Sequence, residues 1–190
     1  MTGEIEVTNK VRSMHPQKFG MWLFLVSVVM VFISLSSAYI VKKSVGEWEY
    51  INFPPLFRIT TVLILVSSIT MHFAYISAKR NNIKNIRIGL VLTGALAIAF
   101  IFGQYEAWGQ LVDAGHYFVG NPASSFIYVF TGLHIAHLIG AMIFLFIVIN
   151  KAFKYQVHSK SLVRLEMCAT FWHFLGGLWL YLYLFLILNN

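Results

Sequence analysis

The sequence predicts an all-α protein, an integral membrane bundle of five transmembrane helices. Three observations predict it. First, 58% of the 190 residues are apolar and 11% are charged, with a mean hydropathy of +0.73, whereas a soluble domain carries roughly 25% charge. Second, five stretches contain no Asp, Glu, Lys or Arg: 19–41, 59–78, 88–105, 124–149 and 167–188, with lengths of 23, 20, 18, 26 and 22 residues. Third, a helix rising about 1.5 Å per residue crosses a hydrocarbon core of about 30 Å in roughly 20 residues, so each stretch is long enough to span. None alternates with a period of two, and backbone groups in lipid must be satisfied within the segment, which leaves helix as the expected state. All 21 charged side chains fall outside the five stretches. These numbers exclude a water-soluble globule and a disordered chain.

The first stretch follows Lys10, Arg12 and Lys18, as a signal peptide would. It is too long for the 7–15 residue apolar region of a signal, and Lys42 and Lys43 follow it where a small-residue cleavage site would stand. It is expected to remain as the first helix. The connection to the second helix holds Gly46, Pro54 and Pro55, and the one between the third and fourth holds Gly115, Gly120, Asn121 and Pro122, all turn formers. Tail and loops are too short to fold alone, so residues 1–190 are read as a single membrane domain.

Orientation follows from Lys and Arg. Eleven of them (Lys10, Arg12, Lys18, Lys79, Arg80, Lys84, Arg87, Lys151, Lys154, Lys160 and Arg164) fall on one side of the expected topology and three on the other. The amino terminus is therefore expected in the cytoplasm and the carboxyl terminus outside. The net charge of +7 does not point to nucleic acid, because the basic residues are short clusters between apolar runs. They read as a cytoplasmic flank for anionic lipid headgroups. The single cysteine, Cys168, excludes an internal disulfide and reads as a small apolar helix residue.

Ionisable residues inside the spans are the candidates for function. These are His72, His134, His137 and His173. His134 and His137, at i and i+3, share a face near the middle of the fourth helix. One reading gives such a pair a metal or haem with a ligand from another helix; the other has neutral imidazoles bonding across helices or to carbonyls. His72 and His173 both fall toward the cytoplasmic half. Glu106 is expected to end the third helix on the outer side and Glu166 to begin the fifth on the inner side, so they cannot form a carboxylate pair. Ala95, Ala99, Gly103 and Ala107, and likewise Gly132, Ala136 and Gly140, recur at four-residue spacing and are read as stripes for close helix packing. No span holds a central carboxylate and no inverted repeat is visible, which disfavours a transporter.

Particular strings resemble subunit III of haem-copper respiratory oxidases. His15-Pro16 followed by Lys18 through Leu25 is similar to the opening of that family's first shared helix. Gln104, Glu106 and Trp108 are similar to the polar, aromatic end of the third. Thr131-Gly132-Leu133-His134-Ile135-Ala136-His137 resembles its T-G-x-H-x-x-H, and Glu166 with Phe171-Trp172-His173-Phe174 and Trp179 through Tyr183 resembles its last helix. The strings stand in the family's order. Two positions depart from it: Val28 follows Ser27 where many members carry a carboxylate, and Gly176 stands where an Asp commonly follows the histidine.

The resemblance is to the five-helix form of that family. It implies a bundle packed on the flank of a catalytic subunit, with haem and copper in partner subunits and none in this chain. It implies bound phospholipid, support of proton uptake and durability of the catalytic subunit. The complex would be a proton-pumping cytochrome c oxidase of a bacterial plasma (inner) membrane. Its partners would be catalytic subunit I, subunit II and small subunits, in a supercomplex with a quinol:cytochrome c reductase. The alternatives are the corresponding quinol oxidase subunit, or a haem-binding membrane anchor using His72, His134, His137 or His173. The residues expected at structural, lipid or proton-surface positions are Glu106, His134, His137, Glu166, Trp172 and His173, with His15 and His158 near the cytoplasmic surface.

Overall fold

The computed structural model describes residues 16–46, 48–153 and 159–189; His15 and His158 lie outside the described residues. Five helices account for the fold: α1 (Pro16–Ser44), α2 (Leu56–Lys79), α3 (Ile83–Asp113), α4 (Pro122–Phe153) and α5 (Ser159–Asn189). All five are long and apolar enough to cross a membrane, and there is no strand among the described residues.

Several helix ends have a visible local cause. Pro16 and Pro122 occupy first positions, where a missing N–H costs nothing. The Asn121 side chain accepts from the Ala123 amide at 2.8 Å at the start of α4. At the end of α3 the His116 amide reaches back to the Leu111 carbonyl and the Gly115 amide to Val112, both at 2.9 Å. Gly115, at φ +86, supplies the left-handed residue this closure needs. The end of α2 uses the same device with Asn81 at φ 53, through Asn82-to-Ser77 and Asn81-to-Ala78 bonds of 3.1 and 3.2 Å. Asn82 then caps α3 by accepting from Asn85. One residue closes α2 and opens α3, which makes the α2–α3 hairpin tight.

All five helices reach further than the charge-free stretches, and α3 and α5 the furthest. α3 continues to Asp113 and α5 starts at Ser159, so Glu106 does not end the third helix and Glu166 does not begin the fifth. Polar flanks remain good helix formers once the chain leaves lipid, and charge marks the membrane boundary, not the helix end.

α2, α3, α4 and α5 pack in sequence, α5 returns to α2, and α1 lies outside this ring against α4 and α5. α1 is tied at both ends to α5, which makes the two parallel. Lys18 pairs with Glu166 at 2.8 Å at one end; the Tyr39 hydroxyl donates to the Asn189 carbonyl at 3.2 Å at the other. The core holds Phe100, Phe130, Trp172, Trp179, Met71 and Ile64, all buried. Phe19, Met30, Ile69, Phe102 and Ile143 point outward, as a lipid-facing surface requires.

The small-residue stripes meet other helices over only part of their length: Gly103 lies against α2 and Ala107 is buried. Ala95, Ala99, Ala136 and Gly140 are exposed. The close α2–α3 approaches fall at Gly89, where an added Cβ would lie 2.8 Å from that of Ala74, and at Gly103, where it would lie 2.7 Å from Thr60 Cγ2. With Thr93 bonded to Thr70 at 2.8 Å, the contact line on α3 advances by about 3.5 residues per turn. Four residues turn a helix about 40° beyond a full turn and 3.5 residues fall about 10° short, so a strict four-residue stripe drifts about 50° per step across such a line and lies on it for only part of its length.

Candidate functional site: the intramembrane histidines and their polar layer

α2 carries hydroxyls at Thr60, Thr61, Ser67 and Ser68, and α5 runs antiparallel beside it with tryptophans seven residues apart. The Trp172 indole N–H donates to Ser67 Oγ at 2.9 Å and that of Trp179 to Thr61 Oγ1 at 3.0 Å. Gln104 of α3 donates to Thr60 Oγ1 at 3.0 Å, and Trp108 of α3 donates to Thr131 of α4 at 3.0 Å. The threonine hydroxyls donate in turn to their own helices, Thr61 to Phe57 at 2.7 Å and Thr131 to Ile127 at 2.7 Å. Thr60, Thr61 and Thr131 thus accept from a neighbouring helix while their own protons are used locally, and in a lipid environment such bonds hold helices in register.

His134 sits inside this layer with no exposed surface, its ring centroid 5.0 Å from Trp179 and 5.9 Å from Phe100. Neither ring nitrogen has a hydrogen-bond partner, and Gln104 Oε1 is also unpaired. The expectation that both imidazoles of the pair would be hydrogen-bonded therefore fails for His134. His137 turns toward α1 instead: its Nδ1 meets the Leu133 carbonyl at 2.7 Å, and its ring packs on Phe24 and Phe32 at 6.4 and 5.9 Å. A spacing of three separates the two rings by about 60° around the helix, enough to give them different neighbours. Among the described residues no group of three or more His, Cys, Asp or Glu could hold a metal ion.

The structure does bring His72 and His173 together, 5.7 Å between ring centroids. His173 Nδ1 is hydrogen-bonded to Ser68 Oγ, and His72 is exposed on the outer face of α2. Trp172 is buried in the α2–α5 seam. Glu166, partly exposed, holds Lys18, and Glu106 is exposed on α3 near the opposite end of the bundle. Gly176 faces α2: an added Cβ would lie 3.8 Å from Ser68 Oγ. Val28 is buried in the apolar core. The α2 hydroxyls escaped sequence reading; the signal was a shared heptad, hydroxyls at 60/61 and 67/68 against tryptophans at 172 and 179.

Fold and site together define a polytopic helical membrane protein whose intramembrane polar side chains are largely engaged in helix–helix contacts. The sequence matches the family profile of cytochrome c oxidase subunit III over residues 3–189, and the chain belongs to that family. It is 26% identical over 177 residues to cytochrome bo(3) ubiquinol oxidase subunit 3 of Buchnera aphidicola subsp. Schizaphis graminum, covering 90% of this chain and 93% of that protein. It is 23% identical to cytochrome c oxidase subunit 3 of Bacillus sp. PS3, covering 86% and 81%. The cytochrome c oxidase subunit 3 of Schizophyllum commune is 32% identical, covering 87% of this chain and 65% of the fungal protein.

Proposed function

We propose that this chain is the non-redox accessory subunit III of a proton-pumping cytochrome c oxidase in a bacterial inner membrane. The family match over residues 3–189 carries the reading. The bundle covers the flank of catalytic subunit I beside subunit II and small subunits, within a supercomplex that includes a quinol:cytochrome c reductase. Haem and copper belong to the partners, and this chain holds phospholipid. Eleven basic residues against three support a cytoplasmic start of α1, with Lys18 and Glu166 near the surface at which protons enter. The chain keeps lipid and water off the catalytic flank and supports proton supply. A quinol oxidase of the same build is the second reading, favoured by the likeness to the Buchnera protein.

The test is purification in mild detergent followed by identification of the copurifying proteins. Catalytic subunit I and subunit II are expected. Oxygen consumption by complexes with and without the chain should then start at similar rates and decay faster without it, more so at alkaline pH. Unchanged activity and lifetime at every pH would remove the supporting role. A stoichiometric haem Soret band in the isolated chain would replace the reading with that of a haem anchor.

A further inference from the structure

α1 and α4 run antiparallel on one side of the bundle, and open hollows lie along the boundary between them. One, of about 770 Å³, lies between Ser34, Ala38 and Lys42 of α1 and Ser125 and Phe126 of α4. The other, of about 380 Å³, lies toward the opposite end between Phe24 of α1, Ala136, His137 and Gly140 of α4, and Phe171 of α5. From Phe24 to Lys42 α1 rises about 27 Å, and from Pro122 to Gly140 α4 rises the same, close to the full 30 Å of a hydrocarbon core. Both helices turn an open edge to this groove. On α1, Ser27, Val31, Ser34, Ala38 and Val41 follow at alternating steps of four and three, and all are exposed. On α4, Phe126, Val129, Leu133, Ala136 and Gly140 alternate in the same way, and none is buried. That alternation is the period with which one helix follows another.

Two polar groups set what an occupant must carry. His137 Nδ1 meets the Leu133 carbonyl at 2.7 Å. A carbonyl only accepts, so Nδ1 holds the ring hydrogen and Nε2 is left as an acceptor. That acceptor has no partner among the described residues, and lipid tails offer it none. At the other end of the groove Lys42 is exposed and joins neither ion pair formed among the described residues. The groove thus asks for a donor at one depth and a negative charge at another.

We propose that the α1–α4 groove seats one transmembrane helix of a partner protein, which carries an acidic residue beside Lys42 and a hydrogen-bond donor beside His137, about 15 residues apart along it. The small residues Ser34, Ala38, Ala136 and Gly140 let its backbone come close. A lipid reaches through one leaflet, about half of this length. A second copy of the chain packed side by side in the same orientation would set Lys42 against Lys42. The inference deepens the accessory-subunit reading by giving it a contact face, and it rests on that reading only in taking the chain to work inside an assembly.

The experiment is photocrosslinking in membranes that hold the assembled complex, with a photoreactive residue at Ala38 or at Gly140 and the adducts mapped by mass spectrometry. Both positions should label the same apolar segment of one partner polypeptide, at points about 14 residues apart, with an acidic residue at the end labelled from Ala38. Lys42→Glu should lower labelling from Ala38 about fivefold, Lys42→Arg should keep it, and exchanging the partner's acidic residue for lysine should restore it in Lys42→Glu. Labelling of lipid alone, of two different proteins or of a second copy of this chain would each overturn the seat, and so would undiminished labelling in Lys42→Glu. The identity of the labelled protein is read separately: a partner outside any oxidase would remove the accessory-subunit reading and leave the seat standing.

Discussion

Trp179 and Thr61, 118 residues apart, are joined by an indole-to-hydroxyl hydrogen bond of 3.0 Å inside the bundle. One heptad earlier on α5, Trp172 repeats the contact with Ser67 at 2.9 Å. This pair of clasps sets the register of α5 on α2 and carries with it the neighbouring meeting of His173 with Ser68.

Removing only the bond should cost little, and removing the ring should cost much. Trp179→Phe is expected to destabilise by about 0.5–1.5 kcal/mol. Trp179→Ala is expected to cost about 3–5 kcal/mol through the cavity between Phe57, Phe100 and His134. Thermal unfolding of the complex with each variant measures both. Equal losses would show that the indole hydrogen bond, not the packed ring, holds the seam.

His134 offers a test of opposite sign. Its two unpartnered ring nitrogens are buried among aromatic rings, so His134→Leu replaces unsatisfied polar atoms with an apolar side chain of similar bulk. Stability should be unchanged or rise by up to about 1–2 kcal/mol. A loss above about 2 kcal/mol would mean that the imidazole has a hydrogen-bonding partner in the assembled protein.

The two classes of glycine should respond differently to alanine. At Gly89 the new methyl meets Ala74 Cβ at 2.8 Å and its backbone at 3.1 Å, so the tight hairpin must open, at about 1–3 kcal/mol. At Gly140 nothing lies within 4 Å, and Gly140→Ala should gain up to about 1 kcal/mol of helix propensity in the isolated chain. Equal destabilisation by both would contradict the packing line described for α3.

Reporter fusions settle the orientation. A reporter joined after Lys84 should be active on the cytoplasmic side and one joined after Asn190 on the outer side. The same side for both would mean that one helix does not span.

Helix number and kind were legible in the sequence, because a backbone in lipid must satisfy its own polar groups and a 30 Å core demands long uncharged runs. Family membership was legible too, in strings such as Thr131 to His137, since these are local. Helix ends were not: the run before Glu106 stops at the membrane boundary, while the helix continues to Asp113 under the local control of Gly115. The face each residue presents was decided by tertiary structure. Ala136 and Gly140 look like an interface by spacing, yet the helices meet along a line of about 3.5 residues, and a four-residue stripe rotates out of it. His134 and His137 share a motif and diverge to different helices, whereas His72 and His173, linked in the sequence only by falling in the same half of the bilayer, meet across the α2–α5 seam. Period and composition determine which segments cross the membrane; which side chains meet depends on the crossing geometry of helices whose contacts are distant in sequence, and that was decided only by their packing.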